Sequence, residues 1–179
     1  MTRVLKNIQT LKKMLVLETD IIRQVVNKNK SCLYAGYPGL ISEFGQPFLD
    51  KTKSPFMGTP RECYKNCFEA LFCFKDFIYC EGYACSDKTA VLTPHAWLLN
   101  RDFQVIEPTW DKKLTQNIAY FGIGFSRSYV FESVNQNQEY GILENYYRND
   151  FKLLRDGFPK DALYFCPSSH KDILSPEDV

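Results

Sequence analysis

One stretch of the chain, residues 59–110, combines a helix signal with two strand signals and constrains the fold most strongly. Thr59, Pro60 and Glu62 match a capping box, with an N-cap residue, a proline at the first helical position and a glutamate at the third. Apolar residues then recur at helical spacing, at Tyr64, Cys67, Phe68, Leu71 and Phe72. The pattern predicts a helix that begins near Pro60 and buries one side against a sheet.

Two strand-like runs follow this helix and predict an antiparallel hairpin. They are residues 96–99 and 103–106, with the polar residues 100–102 between them. A three-residue loop would pair Leu99 with Phe103 and, by equal steps, place His95 opposite Glu107. Facing side chains have Cβ atoms about 4.5–5.5 Å apart, so the carboxylate can accept the imidazole N–H. A two-residue loop would instead send the pair to opposite faces of the sheet.

A cysteine, a histidine and a carboxylate therefore occur in order on three predicted elements. Cys63 falls in the first helical turn, where unpaired N–H groups and the helix dipole stabilise a thiolate. The second histidine of the chain, His170, lies in a polar tail, which leaves His95 as the candidate base. Glu107 would fix the tautomer of His95 and support the imidazolium. Cys67 is the weaker alternative nucleophile because it lies beyond the first turn.

These motifs resemble the core of the transglutaminase-like superfamily, within the papain-like class of cysteine enzymes. The resemblance covers about residues 55–125: a cysteine at a helix start, His-Ala-Trp from His95, and Ile-Glu-Pro-Thr-Trp around Glu107. It implies an α+β fold in which the catalytic helix packs on a small antiparallel sheet, here with an added N-terminal helix. Cys63 then matches the nucleophile, His95 the base and Glu107 the third member, where the family usually has Asp. Segments 79–84 and 119–122 are also similar to small bacterial and phage proteins that supply no substrate.

The superfamily includes transglutaminases, cysteine proteases, peptide N-glycanases and, more distantly, arylamine N-acetyltransferases. The resemblance therefore implies acyl transfer through a thioester, with a peptide, a protein or a small acyl or amide compound as substrate and no cofactor. Hydrolysis is the favoured outcome because water is always present, and transfer to an amine is the alternative. A catalytically silent interaction module with the same fold is a further alternative.

Four more residues are candidates for the substrate cleft. The Cys63 backbone N–H would supply part of an oxyanion hole, and Gln46 and Tyr34 are candidates for its second donor because they precede the catalytic helix. Trp97 shares the face of His95 by the two-residue period of a strand, and either shields the imidazole or belongs to the core. Glu81 is a candidate polar group facing the same cleft.

Length and composition predict one domain over residues 1–179. The chain is 45% hydrophobic and 15% aromatic, which is enough for one sizeable core. Residues 1–30 are predicted as a helix, 31–60 as a loop region, 61–130 as the catalytic core with one or two strands over 120–130, and 131–179 as a helix over 140–158, a short strand at 162–165 and a tail. With 22 basic and 21 acidic residues, the net charge of +1 gives no basis for nucleic acid or membrane binding.

Seven cysteines occur without an export signal or a membrane-spanning run, which predicts reduced thiols and a cytoplasmic location. Zinc binding is the main non-enzymatic alternative, because six potential ligands cluster in the sequence, at Cys63, Cys67, Cys73, Cys80, Cys85 and His95. Structural zinc sites usually have paired cysteines in tight knuckles, whereas these spacings lie within one helix and one strand. No metal is therefore predicted, and the oligomeric state is left open.

Overall fold

The computed structural model describes residues 2–26, 32–86, 89–111, 117–143 and 150–164. The helices in these ranges are α1 (Arg3–Val26), α2 (Gly36–Phe44), α3 (Cys63–Cys73), α4 (Arg127–Asn137) and α5 (Lys152–Asp156). The strands are β1 (Gln46–Phe48), β2 (Lys51–Thr52), β3 (Ile78–Ser86), β4 (Thr89–Leu99), β5 (Val105–Ile106), β6 (Ala119–Phe125) and β7 (Leu163–Tyr164). The fold belongs to the mixed α+β class that the sequence predicts. None of the helices within the described ranges has the length and apolar content needed to span a membrane.

All seven strands join one sheet, in the order β1-β6-β3-β4-β5-β2, with β7 paired to β6. Every pair is antiparallel except β2 with β5, which is parallel. The strands β1 and β2 end this order on opposite sides, yet only Leu49 and Asp50 separate them in the chain. The three Cα–Cα steps from Phe48 to Lys51 span at most about 11 Å. The sheet must therefore curl until its two edges approach each other.

The two faces of the curled sheet carry separate hydrophobic clusters. On the concave face the ring of Phe48 lies 5.5 Å from that of Trp97, although two strands separate β1 from β4. The other members of this cluster include Leu99, Val105 and Tyr120. The convex face packs against the helices, through a cluster that includes Leu11, Leu40, Cys67, Leu71, Tyr79, Ala96 and Leu98. The predicted packing of the cysteine helix on the sheet is therefore confirmed.

The N-terminal helix follows its prediction closely. Thr2 caps α1, since its Oγ1 accepts a hydrogen bond from Leu5 N at 3.3 Å. Ile8, Leu11 and Leu15 are buried, as their helical spacing predicts. The structure describes this helix as far as Val26, and its predicted end at residues 27–30 lies outside the described residues.

The region 31–60, predicted as loops, instead contains α2, β1 and β2. Gly36 begins α2 in the left-handed region, with φ of 67°, and Pro38 falls in its first turn, where a missing N–H costs no helical hydrogen bond. Leu40 and Ile41 are then buried against the sheet. The Gly and Pro residues thus mark the ends of short elements, which the composition alone had suggested were irregular.

The C-terminal prediction is partly confirmed. Of the one or two strands predicted over residues 120–130, one is present as β6, which ends at Phe125, and Ser126 then caps α4 by accepting a hydrogen bond from Tyr129 N. In the described part of the helix predicted over 140–158, α5 is helical and residues 140–143 are irregular. Gly141 has φ of 95°, and the amides that follow it bind a side chain of the sheet. The last predicted strand is confirmed as β7, while the rest of that helix, residues 144–149, and the predicted tail lie outside the described residues.

Candidate active site

Cys63 is the first residue of α3, so its predicted place in the first helical turn is confirmed. The predicted start at Pro60 is wrong, because residues 59–62 form a turn in which Arg61 has φ of 69°. Glu62 makes no capping hydrogen bond and instead pairs with Lys65 at 3.2 Å. Within the described residues, the N–H of Cys63 has no hydrogen-bond acceptor. An uncapped helix start thus places a free donor beside the thiol.

His95 on β4 and Glu107 just after β5 form a buried pair, with Nε2 donating to Oε2 at 2.8 Å. The predicted hairpin register is wrong, because Leu99 pairs with Val105 and not with Phe103. The difference is two residues, and side chains alternate with a period of two. An even shift keeps His95 and Glu107 on the same face, now as diagonal neighbours, which long side chains can bridge.

Asn100 explains why the hairpin loop is longer than predicted. Its Oδ1 accepts hydrogen bonds from Asp102 N at 3.0 Å and from Gln104 N at 2.9 Å. Phe103 takes φ of 58° to complete the turn and leaves the strand it was predicted to begin. The Asn side chain therefore replaces the strand pairing that a three-residue loop would require.

Glu107 is held by four hydrogen bonds. Its Oε1 accepts from Thr109 N at 2.8 Å and Trp110 N at 3.1 Å, while Oε2 accepts from Tyr120 Oη at 2.9 Å as well as from His95. Burial by itself raises the pKa of Glu107, but the charge of His95 and these hydrogen bonds lower it overall. The carboxylate is therefore ionised and fixed in orientation.

His95 lies between the carboxylate and the thiol. The Cys63 thiol lies close enough to the imidazole to raise its pKa, and because Nε2 is committed to Glu107, Nδ1 is the nitrogen left for the thiol. Burial lowers the pKa of His95, but the charge of Glu107 and the hydrogen bonds to Cys63 and Glu107 raise it to about 9. The ring is 1% exposed and stacks on Trp110, with centroids 3.9 Å apart and planes at 15°. The imidazole is therefore protonated at neutral pH and shielded from water.

The start of α3 reaches His95 at an open part of the sheet edge. The strand β5 pairs with β4 only at Leu98 and Leu99, so β4 has no neighbour on that side at His95. The segment from Glu107 to Trp110 and the first turn of α3 meet there. A helix on the convex face can thus place its thiol beside an imidazole from the concave face.

The structure does not bring the other four candidate residues to this pair. Trp97, which was considered as a shield for the imidazole, belongs to the concave core, and Trp110 takes the shielding place. Glu81 lies on the opposite face from His95, fully buried, where it accepts hydrogen bonds from Tyr79 Oη at 2.6 Å, Ile142 N at 2.6 Å and Leu143 N at 2.9 Å. Glu81 therefore anchors residues 142–143 to the sheet.

The two candidates for the second oxyanion donor lie apart from the thiol. Gln46 on β1 is separated from His95 by β6 and β3. Tyr34 packs its ring on Phe44 with centroids 5.6 Å apart, and its N–H donates to Leu154 O at 3.0 Å. Neither residue has a described hydrogen bond to Cys63 or His95.

Three residues that contact the triad were not predicted from the sequence as site residues. Tyr120 and Trp110 contact the pair directly, and Asn66 joins the loops around it. Trp110 belongs to the Pro-Thr-Trp motif, so the resemblance contained a signal for it. Asn66 lies three residues after Cys63, which places both on one side of the helix. Tyr120 carries no local signal, because strand order alone brings β6 within reach of Glu107.

The cysteine pattern does not form a zinc knuckle. Cys80 and Cys85 are an odd number of residues apart on β3, so they face opposite sides of the sheet and belong to different clusters. Throughout the described part of the chain, no group of three or more His, Cys, Asp or Glu side chains is placed to hold a metal ion. The six described cysteines are all free thiols.

Comparison of the chain with protein-family models, with curated proteins and with solved structures gave no match. The site must therefore be interpreted from its own geometry. Its central feature is a buried imidazole that is hydrogen-bonded to a carboxylate and neighbours a thiol, the three groups being contributed by β4, the segment after β5 and α3.

Proposed function

We propose that the protein is a cysteine-dependent acyl-transfer enzyme with a transglutaminase-like core, which acts on an amide or related acyl bond. The observation that carries the proposal is the buried hydrogen bond between His95 and Glu107 at 2.8 Å, with the Cys63 thiol close enough to the imidazole to raise its pKa. Each member has the environment that its role needs. The thiol lies at a helix start, the base is buried and shielded, and the carboxylate that orients the base is fixed by four hydrogen bonds.

In the first step, the proton of the Cys63 thiol resides on His95 Nδ1, and the thiolate attacks the carbonyl carbon of the substrate. Glu107 keeps the other ring nitrogen protonated, so Nδ1 is the nitrogen that exchanges a proton with the thiol. The charge of Glu107 also stabilises the imidazolium. The step thus uses the thiol and the imidazole of the protein as nucleophile and proton carrier, without a metal or cofactor.

The tetrahedral intermediate carries an oxyanion, and the free N–H of Cys63 supports it. This donor points from the start of α3, where the dipole also favours negative charge. A single oxyanion-hole donor typically contributes about 3–4 kcal/mol to the stabilisation of the transition state. Neither Gln46 nor Tyr34 has a described hydrogen bond to Cys63, and the second donor is left unassigned.

Collapse of the intermediate breaks the bond to the leaving amine, which takes its proton from His95, and leaves a thioester on Cys63. A second nucleophile, activated by the neutral imidazole, then attacks the thioester and restores the thiol. Water gives hydrolysis, which we assign as the reaction because water is always present. A primary amine gives transglutaminase-type transfer, which requires no further residue of the triad.

Trapping with a library of acyl electrophiles, followed by peptide mapping by mass spectrometry, tests this proposal. We expect adducts on Cys63 in the wild type and none on that peptide after Cys63→Ala or His95→Ala. Cys73 is an internal control, because it is exposed and lies on the same helix, whereas Cys63 is 9% exposed. If the extent of modification follows the solvent exposure of each cysteine, so that Cys73 is modified before Cys63, the result would contradict a catalytic role for the Cys63 thiol and favour an interaction module.

The acyl acceptor is identified in the same preparation. Adducts that disappear in buffer alone indicate hydrolysis, and incorporation of a labelled primary amine into the acyl product indicates transfer. Variants that keep full activity without Cys63 or His95 would exclude the triad altogether.

A further inference from the structure

One buried amide joins the helix of Cys63 to both loops around the site. Asn66 lies one turn after Cys63 on α3 and is 6% exposed. Its Oδ1 accepts from Thr59 N at 3.0 Å, and its Nδ2 donates to Thr59 O at 2.7 Å and to Thr109 Oγ1 at 2.9 Å. Thr109 in turn donates its backbone N–H to Glu107 Oε1 at 2.8 Å. The amide therefore links the nucleophile helix to the carboxylate that orients the base.

The packing around this amide is tight. Gly58 N donates to Pro108 O at 2.7 Å, which joins the same two loops a second time. A Cβ atom on Gly58 would lie 2.3 Å from Cγ of Asn66, so only glycine lets the loop approach the amide. The side chain is thus enclosed by the loop before α3 on one side and by the loop after β5 on the other.

We propose that Asn66 is a positioning residue that sets the separation between the Cys63 thiol and the His95 imidazole. The inference rests on the proposed function, in which these two groups react as a pair. The thiol lies on α3, and the imidazole is oriented by Glu107. Asn66 lies on α3 and hydrogen-bonds Thr109, which binds Glu107, so this side chain connects the helix of the thiol to the carboxylate. A misplacement of about 1 Å between reacting groups can cost about a hundredfold in rate.

Only an amide satisfies all three contacts. Asp has the same shape but cannot donate to Thr59 O or Thr109 Oγ1, and its charge would face the Thr59 carbonyl. Ala removes every contact and leaves the N–H of Thr59 without its acceptor, while the Thr59 carbonyl keeps only the hydrogen bond from Glu62 N at 3.3 Å. Thr109→Val removes one contact and keeps the backbone N–H that binds Glu107, which makes it the milder variant.

The test is the pH profile of Cys63 alkylation by iodoacetamide, read by mass spectrometry on the full chain. The variants are Asn66→Asp, Thr109→Val and Thr109→Ser, where Ser keeps the hydroxyl. Asn7→Asp is the matched control, because Asn7 on α1 is another buried amide, and its Nδ2 donates a hydrogen bond to Asn117 O at 2.7 Å. Circular dichroism and urea unfolding measure how far each variant remains native.

We expect Asn66→Asp and Thr109→Val to slow labelling at pH 6 by about tenfold or more and to move the profile to higher pH. Thr109→Ser should stay within about twofold of the wild type, and Asn7→Asp should lose stability without moving the profile. Profiles of Asn66→Asp and Thr109→Val that match the wild type would overturn the inference. If Asn66→Asp does not fold, the comparison of Thr109→Val with Thr109→Ser decides the question.

The two proposals fail in different ways. A wild-type chain that is alkylated at pH 6 but forms no acyl adduct rejects the proposed function, while the profiles of the variants still test Asn66. A wild-type chain that forms acyl adducts, with variant profiles unchanged, keeps the function and rejects the role of Asn66. A wild-type Cys63 inert at pH 6 rejects both.

Discussion

Replacing Glu107 by Gln should remove the charge that keeps His95 protonated. The pair is buried, with 2.8 Å between Nε2 and Oε2, and the pKa of His95 is raised from 6.5 to about 9. Burial lowers the pKa while Cys63 also raises it, so removing the charge of Glu107 should bring the pKa down from about 9. The rise from 6.5 to about 9 corresponds to about 3 kcal/mol of differential stabilisation of the imidazolium, at about 1.4 kcal/mol per pKa unit.

The amide would also reverse the direction of hydrogen bonding. With Oε1 of the new side chain accepting from Thr109 N and Trp110 N, its NH2 group faces His95 Nε2 and donates to it. The neutral imidazole then carries its proton on Nδ1, which is the wrong tautomer to accept a proton from Cys63. A carboxylate-to-amide change of this kind in a triad lowers turnover by about 10⁴-fold.

A pH titration of the histidine resonances by NMR measures the effect directly. The chain has two histidines, and His170→Gln identifies the signal of His95. We expect the wild-type imidazole to remain protonated up to about pH 9, and the Glu107→Gln imidazole to be neutral at pH 7. Tyr120→Phe is the control, because it removes one hydrogen bond from the carboxylate and keeps the charge. Equal titration of wild type and Glu107→Gln would refute the electrostatic account.

Three further predictions concern stability. Because the pKa of His95 is raised, its pair with Glu107 stabilises the fold fully below pH 6.5, and this contribution is lost as pH rises through about 9. The free energy of unfolding in urea should show this loss in the wild type and not in Glu107→Gln. Arg127→Ala should lower the free energy of unfolding by about 1.5–3 kcal/mol, because the guanidinium binds three carbonyls at the end of α3; an unchanged urea midpoint would contradict this. Gly122→Ala should destabilise by about 1–3 kcal/mol, because a Cβ atom there meets a backbone oxygen at 2.2 Å. Gly39 lies on α2, and a Cβ atom added there would be 3.6 Å from its nearest neighbour, so Gly39→Ala should be neutral or stabilising in the same assay.

The His95 and Glu107 pairing was predicted although the predicted loop length was wrong. Facing depends only on whether the register shift is odd or even, and the observed register differs from the predicted one by an even number, two residues. The loop length depends on the side chain of Asn100, whose hydrogen bonds to Asp102 N and Gln104 N compete with strand pairing. Such a competition is decided by geometry that a sequence pattern does not contain.

The start of α3 shows a similar limit. Thr59 and Glu62 match a capping box, yet the Thr59 backbone is bound by Asn66, which is placed by the packing of α3 on the sheet. Tertiary contacts thus override the local signal, as they also do at residues 140–143, where Glu81 captures two backbone amides. The predicted place of Cys63 in the first helical turn is still correct, because the helix begins three residues later than predicted and Cys63 remains within that turn.

Residues contributed by distant segments were out of reach of sequence reasoning. Tyr120 binds Glu107 because β6 curls round to the same concave face, and the curl follows from closing the sheet between β1 and β2. Trp97 was placed on the correct face by alternation, but the depth at which it is buried depends on the small residue Gly122 beneath its ring, 2.7 Å from where a Cβ atom would lie. Three-dimensional closure, more than local pattern, decides which aromatic ring shields the imidazole.

Cys63 is the nucleophile of the proposed reaction only if His95 activates its thiol. The decisive measurement is the ratio of iodoacetamide labelling at Cys63 to that at Cys73, at pH 6, in the wild type and in His95→Ala. Cys63 should react faster than Cys73 in the wild type despite being 9% exposed, and His95→Ala should reverse the order. Labelling that favours Cys73 in both proteins would show that His95 does not activate Cys63.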